Sequence, residues 1–319
     1  MKLILTGATG MCGRSLMPLL LKDERIEEIT ALCRAGSARA LQEQYGHEAK
    51  LSVLTADLAH PETLPKMPEA DVLVHMAALK PPALARHIYK VNLEATSVLL
   101  KRAEDAGIKR FIFISTINID LHRHGPYARS KLDAENLLRS SKLDCTIVRP
   151  HHVYGSPYDT GGLAKALAFI RTHSFMPVFG NGQALEQPIH VDDLARYLHI
   201  LLTVDKVPNP LYLAGADALP YNKLILSLTR EFKLNCRLIH LPAAPFRLAA
   251  LAGAVLGLTL PLSAEMIDHQ CEDLPVDTKP QISCLNHKPL TFAEGLTLWH
   301  RTLTEDDMLQ RTLTPPPIN

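Results

Sequence analysis

The chain has 319 residues, 47% hydrophobic and 21% charged, enough to bury a substantial core and roughly two domains in length. Its 34 Lys and Arg against 33 Asp and Glu leave a formal charge of +1, so no whole-molecule field draws nucleic acid or an anionic membrane. The six cysteines form no CxxC pair, which argues against a zinc knuckle or a disulfide framework and for reduced thiols.

Met1 and Lys2 run straight into Leu3-Ile4-Leu5 without the pattern of a secretory leader, and a cytoplasmic protein is expected. Apolar runs over 2–6, 29–33, 51–54, 71–75, 110–115 and 145–148 read as buried strands. Helix-length patterns over 11–21, 88–106 and 130–140 lie between them. This alternation predicts an α/β fold with a doubly wound parallel sheet, Rossmann-like. After Tyr154 glycines and prolines break the rhythm, as expected of a smaller C-terminal substrate-binding lid. The expected division is a dinucleotide-binding domain over 1–155, with 185–205 returning to it, a lid over 156–184 and 206–304, and a disordered tail over 305–319. Leu248 to Ala264 carries no charge but holds Gly253, Gly257 and Pro261. It is short of the roughly 20 apolar residues of a bilayer span and reads as a buried or dimer-facing helix, with interfacial membrane contact the less favoured alternative.

The first strand leads into Thr6-Gly7-Ala8-Thr9-Gly10-Met11-Cys12-Gly13 and then a helix. Glycines there allow a tight turn and close approach of a diphosphate to free N–H groups. The spacing is GxxGxxG, and the strand before and helix after supply the context for dinucleotide binding. At the end of the second strand, where an acid would hold the ribose hydroxyls of NAD, stand Cys33 and Arg34. A guanidinium suits a 2′-phosphate, which favours NADP over NAD. Farther on, Tyr127-Ala128-Arg129-Ser130-Lys131 places a lysine one helical turn from a tyrosine, and a nearby cation makes a phenol a usable acid/base. Ser115 and Thr116 end the preceding strand and offer hydroxyls to a substrate carbonyl.

With these motifs, and with Asp57-Leu58, His75 to Lys80, Val91 to Thr96, Arg149 to Gly155 and Ile189 to Ala195, the chain resembles the extended and atypical short-chain dehydrogenase/reductases, the NAD(P)-dependent epimerase/dehydratase family. The resemblance covers residues 2 to 200 well. It implies Tyr127 as general acid/base, Lys131 as the group lowering its pKa and holding the nicotinamide ribose, and Thr116 orienting the carbonyl, with Ser115 as the alternative hydroxyl. It implies a diphosphate site at Gly7, Thr9, Gly10, Met11, Cys12 and Gly13, with Asp57 and Leu58 flanking the adenine. Met76, Ala77, Ala78 and Lys80 would line the cofactor, joined by Asn92, Pro150 and Val153.

Two features depart from nucleotide-sugar epimerases. Glu186 and Gln187 stand where an Arg-Asp pair would grip a substrate diphosphate, and only ten residues separate Thr116 from Tyr127. The 15 histidines form no HExxH, and no metal is expected. The expectation is therefore an oxidoreductase or epimerase that moves hydride between NADP, or NAD, and a small-molecule substrate. A noncatalytic NADP-binding sensor or assembly subunit is the alternative.

Overall fold

The computed structural model describes residues 1–204, 206–258 and 262–305; residues 306–319 of the expected tail lie outside them. The chain alternates β1 (Lys2–Thr6), α1 (Met11–Lys22), β2 (Glu28–Cys33), α2 (Ala35–Tyr45), β3 (Leu51–Thr55) and β4 (Val72–His75). Then follow α3 (Ala85–Tyr89), a π-helical turn (Lys90–Glu94), α4 (Ala95–Asp105), β5 (Arg110–Ile114), α5 (Pro126–Arg139), β6 (Asp144–Pro150) and β7 (Val153–Tyr154).

The remainder comprises α6 (Gly162–Thr172), β8 (Phe175–Phe179), β9 (Leu185–Glu186), β10 (Ile189–His190), α7 (Val191–Leu201) and β11 (Leu211–Leu213). After these come β12 (Leu219–Pro220), α8 (Tyr221–Glu231), β13 (Arg237–Leu241), α9 (Ala243–Val255), α10 (Ala264–His269), α11 (Lys279–Leu285) and α12 (Phe292–Glu305).

Seven strands form the central sheet in the order β11-β6-β5-β4-β1-β2-β3, every pairing parallel. Leu3 and Leu5 pack on one face with Leu16, Met17 and Leu20 of α1 and Leu194 and Leu198 of α7. Ile4 packs on the other with Leu73, Leu99, Phe111, Phe113 and Leu138. Helices cover both faces, so the strands read as continuous apolar runs rather than alternating ones. Strand order reverses between β1 and β4, and ligands in such sheets bind beyond the carboxyl ends of strands at that reversal. The register aligns Thr6 with His75 there. A second core joins α6, α8 and α12 through Leu163, Leu167, Leu224, Leu228, Leu296 and Trp299. β11, from the stretch expected as lid, supplies the seventh strand beside β6.

The apolar run beginning at Leu248 corrects one of the two readings expected of it, that of a buried helix. Only Ala250 and Gly253 of α9 are buried, while Leu248 is 66% and Val255 86% exposed. α9 is apolar on all sides, so periodicity marked no inward face. Its small residues turn in, Ala250 against Phe179 and Ile267, and the large ones turn out. Residues 259–261 of this run lie outside the described residues. Among the described residues no helix is long and apolar enough to cross a membrane.

Candidate active site

The turn from β1 to α1 is shaped for a close-approaching ligand. Gly7 has φ +79°, and a Cβ there would stand 2.8 Å from the Ala77 nitrogen. A Cβ on Gly13 would stand 2.2 Å from the Gly7 carbonyl oxygen. Neither position accepts a side chain without backbone movement. α1 begins at Gly10 with no side-chain cap and no acid in its first turn, leaving N–H groups and the positive helix end for an anion. Thr9, Met11 and Cys12 complete the turn. Burial pushes the Cys12 thiol up to about 11, so it is neutral at physiological pH. The Arg14 guanidinium donates to the Thr9 carbonyl at 3.0 Å and lies 4.1 Å over the Tyr158 ring, bringing the 156–162 segment against the turn.

At the other end of the groove Arg34 is exposed, directly after β2 and at the N-cap of α2, and makes no ion pair among the described residues. Arg39 pairs with Glu43 at 2.9 Å. Asp57 accepts from the Ala59 amide at 2.9 Å, closing a turn, and Leu58 packs against the core. Lys80 and Ala78 are exposed, and Met76 is half-buried.

A buried polar relay fixes the loop after β4. Thr96 Oγ1 donates to the Asn92 carbonyl at 2.7 Å and so accepts from His75 Nε2 at 3.0 Å. The neutral His75 ring therefore accepts at Nδ1 from Thr6 Oγ1 at 2.6 Å, and Thr6 Oγ1 accepts from the Ala77 amide at 3.2 Å. Burial and Lys131 hold His75 down at about 3, consistent with this tautomer. Asn92, in the π-helical turn, accepts from the Leu79 amide at 2.8 Å and donates to the Leu79 carbonyl at 2.9 Å. It also donates to Ser130 Oγ at 3.1 Å, whose hydroxyl donates to the Tyr127 carbonyl at 2.8 Å. Asn92 thus clamps the cofactor-side loop to the helix of Tyr127.

Tyr127 and Lys131 sit one turn apart on α5. Lys131 is 1% exposed, its ammonium 3.8 Å from the Phe113 ring centroid, with no hydrogen-bond or ion-pair partner among the described residues. Burial pulls it down to about 7, against the pull of Glu135. Burial first, and Glu265 second, push the Tyr127 phenol above its ordinary value, while the nearby Thr116 hydroxyl opposes them. Ser115 does not join this group. Its hydroxyl donates to Glu135 Oε1 at 2.6 Å, and the fully buried Glu135 is gripped by Arg149 at 2.7 and 2.9 Å. Pro150 ends β6 and is buried; Val153 pairs with Ile189.

Sequence reading missed Glu135, Thr96, Ser130 and Glu265. Glu135 lies four residues beyond Lys131, a helical spacing that signals a shared face; Glu265 is remote in sequence and gave no signal. Glu186 is 2% exposed, its carboxylate 3.1 Å from His269 Nδ1 and 3.7 Å from His152 Nδ1. The two histidines hold its pKa well below the usual carboxylate range although burial acts against them. No described group of His, Cys, Asp and Glu is arranged to hold a metal.

Comparison with known proteins agrees with this architecture. Residues 3–215 match the NAD dependent epimerase/dehydratase family, and the chain belongs to that family. It is 34% identical over 146 residues to the photosystem II assembly factor Ycf39 of Guillardia theta, covering 46% of this chain and 45% of that one. It is 29% identical over 229 residues to a 4-hydroxy-2-methyl-3-oxo-4-farnesyl-3,4-dihydroquinoline-1-oxide ketoreductase of Stigmatella aurantiaca, covering 65% and 66%. The chain thus spans less than two thirds of the length of these relatives. In fold it resembles DesIV, a dTDP-glucose 4,6-dehydratase of Streptomyces venezuelae solved with NAD, at TM-score 0.75 and 22% identity over 98% of this chain and all of that one.

Proposed function

We propose that the chain is an NADP-preferring oxidoreductase that reduces the carbonyl group of a lipophilic small molecule. The observation that carries this reading is Lys131, a side chain 1% exposed, without a hydrogen-bond or ion-pair partner among the described residues and one turn from Tyr127. A buried cation is costly unless paired, and ribose hydroxyls together with a developing phenolate supply what it lacks. The turn at Gly7, Gly10 and Gly13 would cradle the diphosphate of such a cofactor, and Asn92, which holds the loop after β4 through Leu79, would fix the wall beside it.

When bound, the reduced nicotinamide supplies the hydride. Tyr127 gives its proton to the carbonyl oxygen, Thr116 polarises that oxygen, and Lys131 stabilises the phenolate left behind. Arg34, with the free N–H groups that open α2, would take the 2′-phosphate. No carboxylate stands between Ala31 and Ala35 to prefer the ribose hydroxyls of NAD. Glu186, sequestered by two histidines, leaves no arginine at the place where epimerases grip a sugar-nucleotide diphosphate. The ketoreductase named above acts on a farnesylated ketone by its own name, and the exposed aliphatic face of α9 suits a substrate of similar polarity. The segments 156–184 and 206–304, apart from β11 and α11 on the central sheet, would form the lid, and the protein would work in the cytoplasm.

Arg34→Glu is the test of cofactor choice. Charge-assisted hydrogen bonds are worth about 1.5–3 kcal/mol, so NADPH affinity should fall roughly tenfold or more while NADH affinity changes little. Equal effects on both cofactors would refute the role of Arg34. The similarity to an assembly factor favours a second reading, a noncatalytic NADP-binding subunit, under which Tyr127 would be dispensable.

A further inference from the structure

The helix that carries Tyr127 lacks a cap of its own. Its N-cap is Gly125, which has no side chain to accept from the first-turn amides. The missing group comes from α10. Glu265, 4% exposed, accepts from Asn118 Nδ2 at 2.9 Å through Oε1, and its Oε2 lies 3.5 Å from the Ala128 amide. A Cβ on Gly125 would stand 2.3 Å from Glu265 Oε2, so glycine is the residue that admits this carboxylate. α10 is also held by Glu186 to His269 and by Arg247 of α9 to Asp268 at 2.7 Å.

We propose that Glu265 is a positioning residue that couples closure of the lid to assembly of the catalytic helix, and that its negative charge beside Tyr127 commits the closed enzyme to carbonyl reduction. The inference rests on the reading of Tyr127 given above. In reduction the carbonyl carbon takes a hydride from the reduced nicotinamide, which is oxidised. The O–H bond of Tyr127 breaks as that of the product alcohol forms. This needs the phenol, whereas alcohol oxidation needs the phenolate. By Coulomb's law a carboxylate beside the phenol disfavours phenolate.

The other groups facing Tyr127 are the neutral Cys12 thiol of α1 and the Thr116 hydroxyl, with Lys131 on its own helix. Burial, the largest influence on Glu265, holds its pKa above the ordinary carboxylate value, opposed by Asn118, the Ala128 amide, His269 and His124; in the alkaline range where a phenol titrates it is ionised. Burial has already weakened the hold of Lys131 on a proton. When α10 lifts away, the cap and the opposing charge leave together.

The experiment is a phenolate titration by ultraviolet absorbance in protein saturated with NADP⁺, whose cationic ring brings Tyr127 toward an accessible range. Subtracting the Tyr127→Phe protein isolates Tyr127. In a Glu265→Gln background the titration should move down by about one pH unit, while Glu265→Asp stays near the parent. The kcat for NADPH-dependent reduction of a long-chain 2-ketone should then decline from a correspondingly lower pH with KM for NADPH unchanged. A titration that moves by less than about 0.2 pH unit, or a kcat lowered equally at every pH, would overturn the proposal. If Glu265→Gln does not fold, the aspartate variant carries the test, with full rescue expected and loss of kcat despite an intact fold contradicting it. If NADP⁺ does not bind, the proposed function fails, and denaturant titration of Glu265→Gln then reads the capping of the Tyr127 helix alone, a loss of stability being expected and an unchanged stability overturning the positioning role.

Discussion

Tyr127→Phe is expected to lower NADPH-dependent turnover at least about a hundredfold while leaving cofactor affinity within about twofold, since positioned proton transfer contributes 10²–10⁴-fold. The change removes one oxygen from a half-buried ring. The cofactor contacts proposed for Gly7, Gly13 and Arg34 lie on other elements and would be untouched. Asn92 and Ser130 act on the backbone of this turn rather than on the phenol, so the loop after β4 keeps its place. Steady-state rates with a lipophilic ketone and calorimetric titration with NADPH give the two numbers. An unchanged rate would favour the noncatalytic reading.

Glu135→Ala is expected to have the largest effect on stability, a loss of about 3–5 kcal/mol. Glu135 is fully buried and accepts from Arg149, Arg139 and Ser115. Removing it strands the Arg149 guanidinium, with Asp120 at 3.0 Å and the Tyr212 hydroxyl at 2.6 Å as partial compensation. The pair also predicts a pH dependence. Burial opposes ionisation of Glu135, but Arg149, Ser115 and Arg139 together hold its pKa below the ordinary carboxylate value. The stability it contributes is thus present above that ordinary range and is lost as pH falls through the lowered value. Denaturant titration at pH 7 should show the full difference between parent and variant, and the gap should narrow under acid. A difference below about 1 kcal/mol at pH 7 would show that Asp120 alone satisfies Arg149.

The fold was legible where physics left a local trace. The strands of the central sheet are buried on both faces, so each appears as a short apolar run, and Gly7 to Gly13 announce the turn that follows the first of them. α2 was missed because its sequence, AGSARALQEQY, is largely polar and buries only Ala38 and Leu41. The π-helical turn at Lys90–Glu94 lies inside what reads as one continuous helix, and nothing in its composition separates it from α4. β11 is three residues long and follows the switch to irregular sequence, so its return to the sheet left no pattern.

At the candidate site Tyr127, Lys131 and Thr116 were legible as types at a spacing. The choice between Ser115 and Thr116 was not, since consecutive residues at a strand end point to opposite sides. It is the remote partner Glu135 that turns Ser115 away. Glu265 was illegible for the same reason: a capping carboxylate supplied by a separate element has no sequence spacing to reveal it.

On the proposed function, the turn after β1 and Arg34 after β2 hold NADPH in preference to NADH. The most direct measurement is the shift in unfolding of the purified protein with each cofactor, together with identification of any nucleotide released on denaturation. A ligand at 100 times its dissociation constant adds about 2.7 kcal/mol. The expected result is an empty protein stabilised by NADPH at concentrations where NADH has little effect. Tightly retained NAD, or no stabilisation by either cofactor, would contradict it.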